Sequence, residues 1–350
     1  METDPHLFDI SEELNFLVRG FFSTPAITAL GRIGALEIML VKDTFTPHDF
    51  AAVTNKNLLQ NVFQYLARIG LLINHQEKTW QVSELGRQIF QRSSSFYVPH
   101  SYHAYMDDLS GQLTGKTSLT PSVDRAENVI GSGKTHLRYF PLATSFLKRR
   151  TQFDVIVDIG CGDGKFLSTV LKAVPGKAAI GIDNSPVSVQ MTQENLRHEH
   201  PGREIDILCS DAADTTDWGQ KLKQIVRSRR LAISMWFLIH EISQKDPGRI
   251  IAFLKNVHHL FPEACLIICE IVRHESEVLA KHCKKSLMPE YLFFHDVSNQ
   301  GVLSWTEYHQ ILQSIPYQIE CERLFDAIYG DKGGAIPSSF IWHLVPKREG

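Results

Sequence analysis

The stretch FDVIVDIGCGDG, residues 153–164, decides the fold. Its first part is a continuous apolar run, which is typical of a strand buried on both faces of a parallel sheet. The run reaches Asp158 and passes into a glycine-rich turn with Gly160 and Gly162, and the helical segment KFLSTVLKAV follows at once. A strand, a glycine turn and a helix in this order predict the first unit of a doubly wound α/β domain with a ligand site at the turn.

Four further apolar runs follow along the chain, with helical segments between several of them. They are AAIGID, IDILCSDAAD, LAISMWFLIH and ACLIICEIV, and the first two end in an acid, Asp183 and Asp211. This alternation predicts a mainly parallel sheet with helices on both faces over residues 151–350. Because the carboxyl ends of parallel strands meet at one edge, we expect Asp158, Asp183 and Asp211 at one ligand site. The alternative interpretation is that the three acids are solvated caps.

The first hundred residues have a different pattern. Apolar residues recur at helical spacing, and NLLQNVFQYLARIGLLINHQEKTWQVSELG predicts a helix followed by a two-stranded ribbon, the outline of a winged-helix unit. Residues 46–66 contain only Lys56 as a cation, so the basic face of a DNA reader is missing. For residues 1–100 we therefore predict a packing or dimerisation role. Residues 91–135 are predicted to be irregular, and residues 101–150 to form a linker that also covers a site.

The composition excludes several classes of protein. The chain has 350 residues and a formal charge of −3, which does not favour nucleic-acid binding. No apolar run reaches the length of about 18 residues that a membrane span needs, and the start METDPHLFDISEE lacks the pattern of a signal peptide. The six cysteines form no C-x-x-C pair. We expect a cytoplasmic protein with reduced thiols and neither a nucleic-acid nor a membrane partner.

The glycine turn and the strand-end acids together suit S-adenosyl-L-methionine. The spacing is G-x-G-x-G, unlike the dinucleotide fingerprint, and no Walker lysine is present. An acid such as Asp183 can accept both ribose hydroxyls, Asp211 can accept from the adenine amino group, and a carbonyl or Asp158 can meet the ammonium. These residues resemble the motifs of class I methyltransferases over about residues 150–345, which implies a seven-stranded Rossmann-like sheet. The cofactor-binding residues that the resemblance implies are Asp158, Gly160, Gly162, Asp183, Asp211, Ala212 and Met235.

The fourth apolar run ends in two titratable residues, His240 and Glu241. A lone histidine at a strand end is often only a hydrogen-bonded core residue, but this edge of the sheet is where sites lie. The segment LIHEISQKDPGRIIAFLKNVHHLF also resembles the HDWSD-type segment of small-molecule O-methyltransferases that carry an N-terminal dimerisation domain. In that family the histidine takes a proton from a substrate hydroxyl. The resemblance implies that His240 is a general base and that the protein is a homodimer.

A second histidine–acid pair, His295 and Asp296, occurs in YLFFHDVSNQG. Two such pairs indicate a two-histidine metal site. The combination resembles a small family of 2-oxo acid C-methyltransferases from peptide-antibiotic pathways, whose characterised members methylate carbon 3 of phenylpyruvate or 2-ketoarginine. The resemblance implies non-haem iron held by His240 and His295. It also implies that Arg125 grips the carboxylate and that YHAYMDDLSGQL covers the substrate through Tyr105 and Ser110.

The choice of 2-oxo acid depends on carboxylates that could pair with a guanidinium group. Asp107 and Asp108 lie in the covering segment, and Glu241 and Glu270 end the fourth and fifth apolar runs. We therefore predict C3-methylation of 2-ketoarginine (5-guanidino-2-oxopentanoate), although the two aspartates could be ordinary surface acids. The predicted catalytic residues are His240, His295 and Arg125, and the predicted substrate residues are Tyr105, Asp107, Ser110, Arg125, Glu241 and Asp296. The alternatives are a metal-free O-methyltransferase that uses His240 as the base, and a binding or regulatory protein that has kept the fold without activity.

Overall fold

The computed structural model describes residues 12–75, 78–116, 122–150, 152–282, 286–326, 328–329 and 335–347. The chain divides into two compact units, Met1–Ser101 and Tyr102–Gly350. In the described residues no single helix is long and apolar enough to cross a bilayer. The segments Leu14–Arg32 and Ala35–Val41, which are bent by 86°, meet that test of length and composition only as a pair.

The N-terminal unit contains the predicted helix and ribbon. Asn55 caps the N-terminus of the helix Lys56–Arg68 (α3), because its side chain accepts a hydrogen bond from the Leu58 N–H at 3.0 Å. Leu59, Phe63 and Leu66 lie at helical spacing and are buried in the core of this unit. The described elements are α1 (Glu12–Arg32), α2 (Ala35–Val41), α3 (Lys56–Arg68), β1 (Leu72–Asn74), β2 (Trp80–Val82), α4 (Glu84–Phe90) and α5 (Ser94–His100), with β1 and β2 antiparallel.

The short 3-10 turn Pro47–Asp49, which precedes α3, predicts a pH dependence of the free energy of unfolding. Asp49 accepts hydrogen bonds from Lys42 and from the Thr46 N–H, and these contacts lower the pKa of its carboxyl to about 2. A depressed folded-state pKa means that the stabilisation is present above the unfolded pKa of about 3.9 and is lost as the pH falls toward 2. We expect Asp49→Asn to lower the free energy of unfolding by about 1 kcal/mol at pH 7. Urea denaturation at pH 7 and at pH 2.5 should show this difference shrinking, and an equal difference at both would contradict it.

Residues 91–135, predicted to be irregular, are largely helical where they are described. After α5 come α6 (His103–Asp107), α7 (Leu109–Thr114) and α8 (Arg125–His136), while residues 117–121 lie outside the described part. Asp124 caps the N-terminus of α8, because its side chain accepts a hydrogen bond from the Glu127 N–H at 3.1 Å. A Cβ at Gly133 would lie 2.6 Å from Asp163 Oδ2. Gly133 therefore allows close packing of this helix. Because glycine is also common in loops, the composition of the segment did not predict a helix.

The C-terminal unit has the predicted doubly wound fold. Its seven-stranded sheet has the order β5-β4-β3-β6-β7-β11-β8, parallel except for β11, which is antiparallel to β7 and β8. Buried apolar clusters cover both of its faces. The strands are β3 (Val155–Ile159), β4 (Ala178–Asp183), β5 (Ile205–Cys209), β6 (Leu231–Trp236), β7 (Cys265–Ile271), β8 (Tyr317–Phe325), β9 (Ile328–Tyr329), β10 (Ala335–Ile336) and β11 (Ser339–Pro346). The helices are α9 (Phe140–Arg150), α10 (Lys165–Ala173), α11 (Pro186–Glu199), α12 (Thr215–Val226), α13 (Ile239–Ser243), α14 (Pro247–Leu260), α15 (Ser276–His282), α16 (Met288–Val297) and α17 (Trp305–Ser314).

The prediction that the fourth strand runs to His240 is wrong. The strand β6 ends at Trp236, and Phe237 has a φ of 50°, which breaks the extended chain. His240 and Glu241 lie on the short helix α13. The sheet order reverses between β3 and β6, so the crevice at their carboxyl ends is where a doubly wound sheet binds its ligand.

Candidate active site

The glycine turn after β3 is tied to the acid at the end of β4. Gly160 and Gly162 have φ values of 74° and 57°, which favour glycine. The Gly162 N–H donates to Asp183 Oδ2 at 3.0 Å, and the Ser185 N–H donates to Asp183 Oδ1 at 2.9 Å. Each carboxylate oxygen keeps a further lone pair, so Asp183 can still accept from two hydroxyl groups. A Cβ at Gly160 would lie 3.3 Å from Leu238 Cδ1, so a side chain at this position would crowd the residue that precedes α13.

The other predicted cofactor residues have different surroundings. Asp158 is 2% exposed and accepts from the Ser234 hydroxyl at 2.6 Å, and burial raises the pKa of its carboxyl well above the ordinary value. Asp211 lies just beyond β5, is exposed, and accepts from the Ala213 N–H at 2.9 Å. Ala212 is half-buried. Met235 is fully buried in the larger core, so its side chain packs against strands and helices.

His240 is held by a carboxylate from the neighbouring strand. Its Nδ1 lies 2.8 Å from Glu270 Oε1, and its backbone N–H donates to Glu270 Oε2 at 3.3 Å. Both side chains are buried, at 5% and 0% exposure. Burial opposes a charge on His240, but the charge of Glu270 and this hydrogen bond outweigh it and raise the pKa of the imidazole. In the neutral ring this contact places the proton on Nδ1 and leaves Nε2 with a lone pair that can accept a proton.

His295 lies beside His240 at a right angle. The two ring centroids are 4.6 Å apart and the ring planes are perpendicular. The His295 Nδ1–H donates to the Tyr291 carbonyl, one turn earlier in α16. Burial, and then the positive charge of His240, lower the pKa of His295 to about 2, so this ring stays neutral. Its Nε2 therefore also carries a lone pair, as a metal ligand or a hydrogen-bond acceptor requires.

The acids that follow the two histidines are paired with cations. Glu241 Oε1 lies 3.2 Å from Arg125 Nη1. Asp296 Oδ1 lies 2.6 Å from Arg273 Nη2 and 3.7 Å from Lys245 Nζ. No described His, Cys, Asp or Glu forms a third ligand with the two histidines. The set available to a metal is therefore two imidazoles, and its remaining positions are left to water and substrate.

An open cavity of about 430 Å³, lined by both polar and apolar atoms, lies near this histidine pair. Arg125 and Glu241 line it, with Tyr105, Gln244, Asn299 and Gln300 among their neighbours. Neither histidine lines the cavity, but Glu241 directly follows His240. A volume of this size suits a small ligand.

Part of the C-terminal unit matches a known protein family. Residues 156–260 match the family model described as "Methyltransferase domain". The chain carries a class I, S-adenosylmethionine-dependent methyltransferase domain. No curated protein matches the chain by sequence.

Solved structures resemble the chain over nearly all of its length. One is the mitomycin 7-O-methyltransferase MmcR, with 17% identity, a TM-score of 0.61, and coverage of 96% of this chain and 97% of that one. A putative O-methyltransferase from Nostoc punctiforme has 12% identity, a TM-score of 0.61, and coverage of 95% and 99%. Human N-acetylserotonin methyltransferase, solved in complex with S-adenosylmethionine, has 13% identity, a TM-score of 0.57, and coverage of 98% and 99%. At these identities the likeness shows the fold.

The methyltransferase domain does not bring together the four acids expected to hold a guanidinium group. Asp107 and Asp108 are exposed and, like the exposed Ser110, do not line the cavity. Glu270 lies at the end of β7, one residue before its last, but its side chain is buried and bonded to His240. Glu241 is the one acid of the four among the described residues that line the cavity.

Sequence reasoning missed three contributors to this site. Tyr102 stacks on Phe294 with centroids 4.3 Å apart, and its hydroxyl donates to Gln300 Oε1 at 3.3 Å. Glu270 was noticed only as a possible substrate acid, yet an acid inside the apolar run CLIICEIV signals a buried polar contact. Residues with positive φ angles also lie around the site: Phe237, Gln244 and Lys245 flank α13, and Asn299 follows α16. Such strain often accompanies functional sites.

Proposed function

We propose that this protein transfers a methyl group from S-adenosylmethionine to an acidic group of a small molecule, with His240 as the general base. The observation that carries the proposal is the buried contact between His240 Nδ1 and Glu270 Oε1 at 2.8 Å. A carboxylate in this position fixes the tautomer and stabilises the imidazolium that forms when Nε2 takes a proton. Two of the proteins with a similar fold are described as O-methyltransferases, so a hydroxyl oxygen is the first candidate for the acceptor atom.

The residues present fit the cofactor, as judged from the glycine turn and the fixed Asp183 carboxylate. When bound, the cofactor supplies an electrophilic methyl group. The chain contributes two functions of its own: the sheet edge orients the bound molecules, and His240 removes the proton that leaves as the methyl group arrives. Holding two reactants in line can lower the barrier by about 7–11 kcal/mol.

A second candidate is C3-methylation of a 2-oxo acid, for which 2-ketoarginine is our proposed substrate. The neutral His295 favours it, because a base needs only one histidine, whereas a metal needs more than one ligand. The rings of His240 and His295 are adjacent, with centroids 4.6 Å apart. Two imidazoles are ligands that suit a divalent metal such as iron, which they would hold and which would supply Lewis-acid chemistry. Arg125 would bind the substrate carboxylate after releasing Glu241, and Glu241 would then be free to pair with the guanidinium group.

Labelled S-adenosylmethionine and a panel of acceptors test both candidates. The panel should contain phenols and enols together with phenylpyruvate and 2-ketoarginine, and proton NMR of the product should separate O-methyl from C-methyl groups. Transfer to a phenol or enol oxygen supports the first candidate, and transfer to carbon 3 of a 2-oxo acid supports the second. Transfer to none of these acceptors, with the cofactor bound, would contradict both.

Replacing His295 with alanine is expected to separate the two candidates. If a metal is held, the variant should lose bound iron and at least about 100-fold in methyl transfer, because half of the protein ligand set is gone. If His240 acts alone as a base, the loss should stay below about 10-fold. Elemental analysis and initial rates measure both quantities. His198→Ala, at an exposed position of α11, is the matched control and should change neither.

We also propose that the protein is a homodimer formed through α1. Phe16 and Phe21 are each 76% exposed, and Leu17 and Phe22 are exposed beside them. Apolar side chains concentrated on one helix indicate a surface that a second copy covers. Light scattering of the full chain tests this, and a monomeric mass at micromolar concentration would contradict it.

A further inference from the structure

His136 lies on a helix that packs against the glycine turn. Two residues of α8, Val129 and Gly133, lie close to this turn. A Cβ at Gly162 would lie 3.8 Å from Val129, and a Cβ at Gly133 would lie 2.6 Å from Asp163. Val129, Gly133 and His136 are spaced by four and three residues, so they share one face of the helix. His136 is therefore on the face that α8 turns toward the cofactor-binding edge of the sheet.

The ring of His136 reaches the crevice where the strand order reverses. It stacks on Phe237, with centroids 4.2 Å apart and planes inclined by 25°. Phe237 directly follows β6, and its N–H donates to the Cys269 carbonyl at 2.8 Å. The strand β6 lies beside β3, which leads into the glycine turn. The imidazole therefore lies against the segment that joins β6 to α13, the helix that carries His240.

The ring nitrogens of His136 have no hydrogen-bond partner among the described residues. The residue is half-buried. Burial, then the positive charges of Arg138, His240 and Lys165, lower the pKa of the imidazole to about 3. The ring is therefore neutral and presents one N–H donor. Arg138 and Lys165 each pair with an aspartate, Asp326 and Asp163, so what the ring offers a ligand is this donor and not a net positive charge. A single N–H donor suits a carboxylate oxygen, with which it forms a charge-assisted hydrogen bond.

We propose that the N–H of His136 donates a hydrogen bond to a carboxylate of a molecule bound at the reacting centre. The inference rests on the methyltransferase function proposed above. Two molecules there can offer a carboxylate: the amino-acid end of the cofactor, and a 2-oxo acid acceptor. The glycine turn lies on the same face of α8 as His136. The amino-acid end of the cofactor is therefore the first candidate for the source of the carboxylate.

Calorimetric titration of the full-length protein tests the cofactor as the source, without any need for turnover. The two probes are S-adenosylhomocysteine and its decarboxylated analogue, which keeps the adenosine, the sulfur and the amine. His136→Phe keeps a ring that can stack on Phe237 but removes the donor. We expect this variant to bind S-adenosylhomocysteine about 10- to 100-fold more weakly, as for a lost hydrogen bond to a charged group, and to bind the analogue unchanged. His136→Asn, which restores an N–H donor, should recover part of the loss.

The remaining outcomes decide the source or overturn the inference. If both titrations are unchanged but the KM for a 2-oxo acid rises while that for an acceptor without a carboxylate does not, the acceptor supplies the carboxylate. If both probes weaken equally, His136 only supports the local fold, and the inference is wrong. It is also wrong if neither the titrations nor either KM changes. Failure of methyl transfer to every acceptor would reject the proposed reaction but would leave the titration result standing.

Discussion

Replacing His240 with asparagine is expected to lower kcat/KM by about 10²- to 10⁴-fold, the usual contribution of a positioned general base. The asparagine amide can occupy the place of Nδ1 and keep the contact with Glu270, which is 2.8 Å long in the native chain. The substitution removes Nε2, the atom that takes the proton. Affinity for S-adenosylhomocysteine should stay within about threefold, because Gly162 and Asp183 hold the cofactor edge without His240. Initial rates and calorimetry measure the two quantities.

Glu270→Gln is the companion variant, because it keeps the shape of the side chain and removes its charge. Glu270 also accepts from the backbone N–H groups of His240 and Ile271, so its amide replacement loses charge while the fold keeps most of these contacts. We expect an intermediate loss of about 10- to 100-fold, since the imidazolium loses its buried counter-charge. If His240→Asn kept more than a tenth of the native rate, His240 would be neither a base nor a metal ligand.

The parallel sheet and the cofactor edge could be predicted because their signals are local. A continuous apolar run marks a strand buried on both faces, and the acid that ends the second run, Asp183, is the last residue of β4. Topology then places the carboxyl ends of such strands together. No long-range information was needed, because the fold class alone determines which edge they share.

The contact between His240 and Glu270 could not be predicted in the same way. Thirty residues separate the two along the chain, and they meet because β6 and β7 are adjacent and parallel. The extension of the fourth strand had a different cause. Phe237, Leu238 and Ile239 continue the apolar run of β6 without a polar residue, so the composition does not mark the end of the strand. Phe237, whose positive φ ends the strand, gives no compositional signal.

The acids show a further limit of composition. Asp107 and Asp108 follow an aromatic segment just as a binding residue would, yet both side chains are exposed. Asp296 follows His295 but pairs with Arg273. On a helix, consecutive residues point about 100° apart, so sequence neighbours of a site residue need not face the site.

Replacing Gly301 with alanine is expected to be the most damaging small substitution near the site. An added Cβ would lie 2.0 Å from Ser243 Oγ and 2.1 Å from the backbone nitrogen of Lys245. Backbone cannot yield as a flexible side chain does, so the end of α13 must shift. We expect a loss of about 1–3 kcal/mol in the free energy of unfolding and at least about 100-fold in kcat/KM. His198→Ala, at an exposed position of α11, is the control and should change neither quantity measurably.

The loss of activity in Gly301→Ala should come from a displaced site and not from unfolded protein. The Gly301 N–H donates to the His240 carbonyl at 2.8 Å, and the Ser243 hydroxyl donates to the Gly301 carbonyl at 2.7 Å. These bonds lock the chain that follows α16, which carries His295, onto the helix that carries His240. Rates measured well below the unfolding temperature, per folded molecule, should therefore remain low while the affinity for S-adenosylhomocysteine is kept. Native rates under those conditions would show that this junction serves stability alone, and that the relative position of the two histidines does not matter for the reaction.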